Sequence, residues 1–67
     1  MATGTVQRYD TARGFGFICD DDGGRDVFVS QRALGKATYE GLFVGQRVAF
    51  EVERGPNGPR ARSVRTA

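Results

Sequence analysis

The sequence predicts an all-β protein, on three observations. Short runs rich in β-branched and aromatic residues are separated by Gly, Asp, Asn and Pro. No window longer than a turn or two repeats apolar residues at helical spacing. The chain has 67 residues, which is enough for one compact core but not for a second domain or a deep cleft. We therefore expect a single domain over residues 1–67 with its functional groups on the surface.

Five strands are expected, at Thr5–Tyr9, Phe15–Cys19, Asp26–Ser30, Gln46–Arg54 and Arg60–Val64. The connections 20–24 and 55–59 carry the glycines that tight hairpins need, because glycine readily adopts positive φ. The longer segment 31–45 is expected to hold one helical turn at 32–34 and then an irregular loop. Short strands with one long middle connection predict a five-stranded antiparallel Greek-key β-barrel, the OB-fold.

The core follows from the alternation of side chains along each strand. In the fourth strand, Val48, Phe50 and Val52 share one face, while Ala49 falls on the other face with the charged residues. The expected core consists of Val6, Ile18, Val27, Val29, Val48, Phe50, Val52 and Val64, closed at its ends by Leu34 and Leu42.

Three phenylalanines do not fit a barrel whose apolar residues all point inward. Phe15, Phe17 and Phe28 have the parity opposite to the β-branched residues of the same strands, so they must stand together outside, as an aromatic face. A contiguous exposed apolar patch on a small protein usually marks a binding site. Arg13 precedes the rings, and each base that stacks on such a ring contributes about 1–3 kcal/mol. The pattern predicts a binding surface for single-stranded RNA or DNA.

Two alternatives remain open for these rings. In the first alternative the rings are buried, either because the inside and outside faces are reversed or because the 31–45 loop covers them. A reversed assignment would leave Gly16 and Ile18 facing solvent. Otherwise they are exposed but bind a protein or a second copy of the chain, with Phe43 as an extra apolar contact. A salt titration distinguishes nucleic-acid binding from a protein contact. Single-strand binding weakens with a log-log slope of about −0.7 per neutralised phosphate, whereas an apolar protein contact hardly responds to salt.

Composition excludes several other functions. The ten Lys and Arg residues exceed the eight Asp and Glu residues by only two, so bulk charge does not drive binding. The sequence has no His, no nucleophile with a partner base and no carboxylate pair in an expected cleft, so we expect neither an enzyme nor a cofactor. The acidic run Asp20–Asp22 lacks the spaced ligands of a calcium loop, and no metal is expected there. It should instead direct the nucleic acid towards the opposite, arginine-bearing side.

Cys19 is the only cysteine, which rules out an intramolecular disulfide and favours a reducing, cytoplasmic location. The chain shows neither a signal-peptide core nor the roughly 20 apolar residues of a membrane span, so no membrane partner is expected. We expect a monomer, with a dimer left open because Cys19 should point outward.

The runs Gly4–Val6, Arg13–Ile18 and Asp26–Val29 together resemble the signature of the cold-shock domain family. The resemblance extends over nearly the whole chain, with further matches in register at Gly45-Gln46 and Gly58-Pro59. It implies a five-stranded barrel that binds short single-stranded RNA or DNA. It also implies a role in the bacterial stress response, as an RNA chaperone or a regulator of transcription and translation.

The resemblance also implies roles for individual residues. The three rings of the aromatic face fall on the family's stacking positions, and Tyr39 falls where a loop aromatic is common. Arg13 replaces a usual Lys, and Asp26 falls where an acidic residue often hydrogen-bonds a base edge. The expected nucleic-acid-binding residues are Arg8, Arg13, Phe15, Phe17, Asp26, Phe28, Ser30, Gln31, Tyr39 and Arg60.

Three of these positions depart from the family pattern. Arg8 stands where Trp is usual, Ser30 where His is usual, and Gln31 where Phe is usual. Stacking surfaces are therefore lost, and we expect weaker or differently selective binding than in a typical member. Arg8 should recover part of the loss by stacking its guanidinium or pairing with a phosphate, and Ser30 and Gln31 by hydrogen bonding.

Overall fold

The computed structural model describes residues 1–35 and 41–67, which form five strands. The strands are β1 (Ala2–Asp10), β2 (Phe15–Asp20), β3 (Asp26–Ser30), β4 (Arg47–Gly55) and β5 (Gly58–Thr66). A 3₁₀ turn at Gln31–Ala33 follows β3, one residue earlier than the predicted helical turn. Every predicted strand is present, and β1 and β5 extend beyond the predicted ends by several residues.

The strands close into a barrel in the order β1-β2-β3-β5-β4, with β4 pairing back to β1. The predicted all-β barrel is confirmed. Within the described ranges the neighbouring strands are antiparallel except β3 and β5, which run parallel with Phe28 opposite Arg60. The cause is arithmetic, because strand directions that alternate around a ring cannot close on an odd number of strands. One neighbouring pair must be parallel.

The core contains every residue predicted for it except Val52, together with Ala61. The prediction for Val52 is wrong: its side chain is 41% exposed. The strand β1 begins at Ala2, opposite Phe50, so no part of β1 reaches far enough to cover Val52. Ala49, predicted on the outer face, is also buried. It is small, and the register places it between the longer outward side chains of β1 and β5.

A bulge in β5 explains why Ala61 was missed. The pairing with β4 shifts by one residue opposite Phe50, and Ser63 adopts a positive φ of 55°. Because of this extra residue, Ala61 and Val64 both face the core although they are three residues apart. Simple alternation would have put one of them outside.

A second bulge, in β1, sets the position of one site residue. The pairing between β1 and β2 shifts between Val6 and Arg8, so Gln7 is the additional residue. Val6 is buried and Tyr9 packs against the core, while Arg8 is exposed. Regular alternation from Val6 would have sent Arg8 inward. Among the residues described, no helix is long and apolar enough to cross a membrane.

Candidate nucleic-acid interface

The three rings of the aromatic face lie outside the core and are each half-buried. Phe15 and Phe28 are stacked, with ring centroids 5.9 Å apart and planes inclined by 27°. Phe17 meets Phe28 edge-on, also at 5.9 Å, with planes inclined by 73°. The predicted outward placement is confirmed, and the alternative in which the rings fill the interior is excluded. Each ring covers part of its neighbour, which explains why none is fully exposed.

Regular alternation in β2 and β3 produces this arrangement. Ile18, Val27 and Val29 are buried, and the rings occupy the positions between them. Gly16 is buried because β1 lies directly against it: an added Cβ would stand 2.7 Å from Tyr9 Cα and 2.9 Å from Tyr9 Cδ1. The Tyr9 ring therefore fills the space of the missing side chain, and burial raises the pKa of its hydroxyl. The glycine is needed for the two strands to approach.

Arg8 extends the aromatic face onto β1. The guanidinium carbon lies 5.1 Å from the centroid of the Phe17 ring, within the range of a cation–π contact. Arg8 also pairs with Phe17 in the strand register, so the bulge at Gln7 brings the two side chains to the same face. Arg8 has no ion pair with any residue in the described ranges. Its charge therefore remains available to a ligand.

The two other predicted cations are already paired with carboxylates. Arg13 is exposed in the turn between β1 and β2, and its Nε lies 3.7 Å from Asp10 Oδ2. Arg60 lies next to Phe28 in the register, and its Nε donates to Glu53 Oε1 at 3.3 Å. Exposed pairs of this kind contribute only about 0–1 kcal/mol. A phosphate can therefore compete for either arginine at little cost.

The remaining predicted site residues lie around the rings. Asp26 is exposed on the outer face opposite Cys19, and Ser30 lies opposite Phe15. Gln31 begins the 3₁₀ turn, and its backbone N–H donates to Gly14 O at 2.8 Å. Tyr39 lies outside the described residues.

Three shallow grooves adjoin the rings and bring most of these residues together. The first contains Arg8 and Arg13 beside Phe15 and Phe17. The second lies between the rings of Phe17 and Phe28 and the β4–β5 hairpin at 56–60. The third contains Ser30, Arg32, Arg60 and Arg62 next to Phe28.

Sequence reasoning missed Arg32 and the hairpin residues Pro56, Asn57 and Pro59. Their position depends on the parallel contact between β3 and β5, which no local sequence signal announces. The chain pattern showed only that a turn should occur between the last two strands, and not which face of the barrel it adjoins.

The carboxylates of the acidic run have separate structural roles. Asp20 is buried, accepts a hydrogen bond from Asp22 N at 3.0 Å and lies 3.9 Å from Arg25. Asp21 accepts hydrogen bonds from both terminal nitrogens of Arg47, at 2.8 and 2.6 Å. These bonds, with a weaker contribution from the Thr3 hydroxyl, lower the pKa of Asp21 from 3.8 to about 2. In the described part of the chain, no group of residues is arranged to hold a metal ion.

Comparison with known proteins agrees with this geometry. The family model of the 'Cold-shock' DNA-binding domain matches residues 2–67. A cold shock-like protein CspA of Stigmatella aurantiaca is 50% identical over 66 residues, which cover 98% of this chain and 97% of that protein. A cold shock-like protein CspA of Shewanella violacea is 48% identical over 62 residues, covering 92% and 89%. The cold shock protein ScoF of Streptomyces coelicolor is 40% identical over the full length of both chains. The resemblance predicted from the motifs is thus confirmed, and the chain belongs to the cold-shock domain family, whose members bind nucleic acids and are not enzymes.

Proposed function

We propose that this protein binds single-stranded RNA or DNA by stacking bases on Phe15, Phe17 and Phe28, with Arg8 as a fourth, cationic surface. The observation that carries the proposal is the continuity of these groups: three half-exposed rings in mutual contact, with a guanidinium 5.1 Å from one of them. Every base has a π-face, so such a row accepts a strand with little sequence preference.

The groups around the rings supply the other interactions in this proposal. Arg13 and Arg60 bind phosphates at the two sides of the rings, each exchanging a weak carboxylate contact for one with the ligand. Asp26, Ser30 and Gln31 hydrogen-bond base edges, and Tyr39 stacks a further base. Because Arg8, Ser30 and Gln31 replace larger stacking groups, affinity for pyrimidine-rich strands is lower than for a typical member of the family.

The cellular role that fits this chemistry is that of a cytoplasmic RNA chaperone or regulator of transcription and translation. Weak, sequence-tolerant stacking allows a protein to occupy single strands and leave them again, which is what a chaperone for RNA structure requires. In this proposal, residues 1–67 act as one domain and as a monomer.

The test is fluorescence anisotropy with labelled oligonucleotides, comparing the native protein with a Phe15→Ala, Phe17→Ala double variant. Loss of two stacked bases should weaken binding at least about 30-fold, because each contributes about 1–3 kcal/mol. Val52→Ala is the control, since it removes an exposed apolar side chain that lines none of the three grooves around the rings. Unchanged affinity in the double variant, with its circular dichroism spectrum intact, would refute the proposal.

A salt titration of the native protein completes the test. Single-strand binding should weaken with a log-log slope of about −0.7 for each phosphate neutralised. With two or three arginines engaged, the slope should lie near −1.4 to −2. A slope near zero would indicate an apolar protein contact instead.

A further inference from the structure

The turn that leads into β4 exposes two large apolar side chains that the aromatic face does not include. Phe43 is 78% exposed and Val44 is 72% exposed, whereas Leu42 beside them is 5% exposed. Single exposed apolar residues are ordinary on protein surfaces. An adjacent pair that includes an aromatic ring requires a closer look at how it is held and what lies next to it.

Hydrogen bonds hold this turn firmly in place. Gln46 N–H donates to Phe43 O at 3.0 Å, and the Gln46 side-chain oxygen accepts from Phe43 N–H at 3.0 Å. Gly45 has a φ of 89°, which the third position of a type II turn requires. Gly45 N–H donates to Val6 O at 2.8 Å, and Val6 N–H donates to Gln46 O at 2.9 Å. The turn is therefore fixed to β1, and the two apolar side chains are presented from a rigid backbone.

The strand register shows where this turn lies relative to the aromatic face. Across the strands, Arg60 is beside Phe28 and Phe28 is beside Phe17. Phe17 in turn is beside Arg8 on β1. The turn 43–46 bonds to the other edge of β1, at Val6, two residues before Arg8. The turn thus adjoins the edge of β1 that faces away from Phe17, and its bonding partner on β1 lies two residues from Arg8.

We infer that Phe43, supported by Val44, is a further contact for the nucleotide that follows the one at Arg8. The inference rests on the proposed function, since it extends the same row by one subsite. Neighbouring strands lie about 4.8 Å apart, so the row advances in steps that successive bases of an extended single strand can follow. Arg8 then lies between two apolar surfaces, and its charge can contact the phosphate that joins its own nucleotide to the one at Phe43.

A second copy of the chain fits this turn less well than a base does. A stable protein interface buries about 800 Å² per partner, whereas an aromatic side chain and a valine offer on the order of 300 Å². The turn also bonds to β1 two residues from Arg8, which has no ion pair in the described ranges, and this charge favours a polyanion over an identical, similarly charged surface.

The experiment measures how affinity depends on oligonucleotide length. Labelled oligothymidylates of about four to nine nucleotides are titrated by anisotropy against the native protein, Phe43→Ala and Phe43→Leu. In the native protein, the nucleotide that reaches Phe43 should tighten binding about 5- to 150-fold over the next shorter strand. Phe43→Ala should lose that step and keep the affinity for shorter strands. Phe43→Leu should lose most of it, since a leucine has no π-face, whereas Phe43→Trp, titrated in the same way, should keep it.

The outcomes separate this inference from the proposed function. If the native protein binds none of the strands, both fail. If the native protein binds and the Phe15→Ala, Phe17→Ala variant does not, but Phe43→Ala matches the native protein at every length, only the further inference is overturned. An equal loss at all lengths also overturns it, because that result indicates a structural effect. Sedimentation velocity supplies the last outcome: a native dimer that Phe43→Ala dissociates, with unchanged oligonucleotide affinity, would assign the turn to a second copy.

Discussion

Replacing Arg8 by tryptophan should tighten single-strand binding and reduce its dependence on salt. In the native protein, the Arg8 guanidinium lies 5.1 Å from the Phe17 ring, and an exposed cation–π contact of this kind contributes about 0.5–1 kcal/mol. A tryptophan at the same place offers a full stacking surface, worth about 1–3 kcal/mol per base. The difference is roughly 0.5–2 kcal/mol, or about 2- to 30-fold in affinity.

The same replacement should make binding less dependent on salt. If Arg8 neutralises one phosphate, its removal lowers the magnitude of the log-log slope by about 0.7. The gain in affinity should therefore be largest at high ionic strength, where the lost charge matters least. At low salt, the lost electrostatic attraction offsets part of the added stacking.

Anisotropy titrations at several salt concentrations test both effects, with Arg8→Lys and Arg8→Ala as comparisons. Arg8→Lys should retain the slope and lose the planar stacking surface, and Arg8→Ala should lose both. The sequence contains no Trp, so the new indole also provides its own fluorescence, which a stacked base should quench. Equal affinity and equal slope in all four proteins would show that Arg8 does not contact the strand, and the role assigned to it would be wrong.

Three further results are expected from other parts of the molecule. Gly16→Ala should lower the melting temperature by about 5–20 °C, since the added methyl group meets the Tyr9 backbone at 2.7 Å and overpacking costs about 1–3 kcal/mol. Gly35→Ala is the control, because the nearest atom is 3.5 Å away and the melting temperature should hardly change. Equal melting curves for the two variants would contradict this reasoning. Glu53→Gln should tighten oligonucleotide binding up to about fivefold at low salt, because it releases Arg60, held at 3.3 Å, and leaves Arg62 paired with Glu51 alone; weaker binding would count against the proposed path of the phosphates. The Asp21 carboxyl should titrate near pH 2 by NMR, and Arg47→Gln should return its pKa towards 3.8. Since the folded pKa is the lower one, Asp21 stabilises the native state above pH 3.8, and that contribution is lost as the pH falls towards 2.

The barrel and the aromatic face were predictable because both depend on local alternation. The parity of Phe15 and Phe17 against Ile18 survives in the structure, since β2 and β3 pair without irregularity. Arg8 was assigned to the site only through its resemblance to a family position. Its outward placement depends on the bulge at Gln7, where nothing in the sequence signals an additional residue.

Other features depend on how distant parts of the chain meet. Val52 has the correct parity for the core but lies beyond the beginning of β1, so only the three-dimensional register shows its exposure. The same holds for Arg32 and the β4–β5 hairpin, which reach the rings through the contact between β3 and β5. Sequence periodicity describes each strand by itself, and these positions are properties of pairs of strands.

The parallel junction between β3 and β5 also has a mechanical consequence. In the described ranges it joins β3 to β5 through the single pair Phe28–Arg60, fewer than the pairs that join any other neighbouring strands, and the segment after β3 adds the bridge Leu34–Val64. It is thus the least extensively paired junction in the described part of the barrel, and both of its paired residues line the grooves on either side of Phe28. A nucleic-acid strand bound across Phe28 and Arg60 would contact both β3 and β5. Binding on the outer surface would then also hold β3 to β5, so the protein should be harder to unfold with the nucleic acid bound than without it.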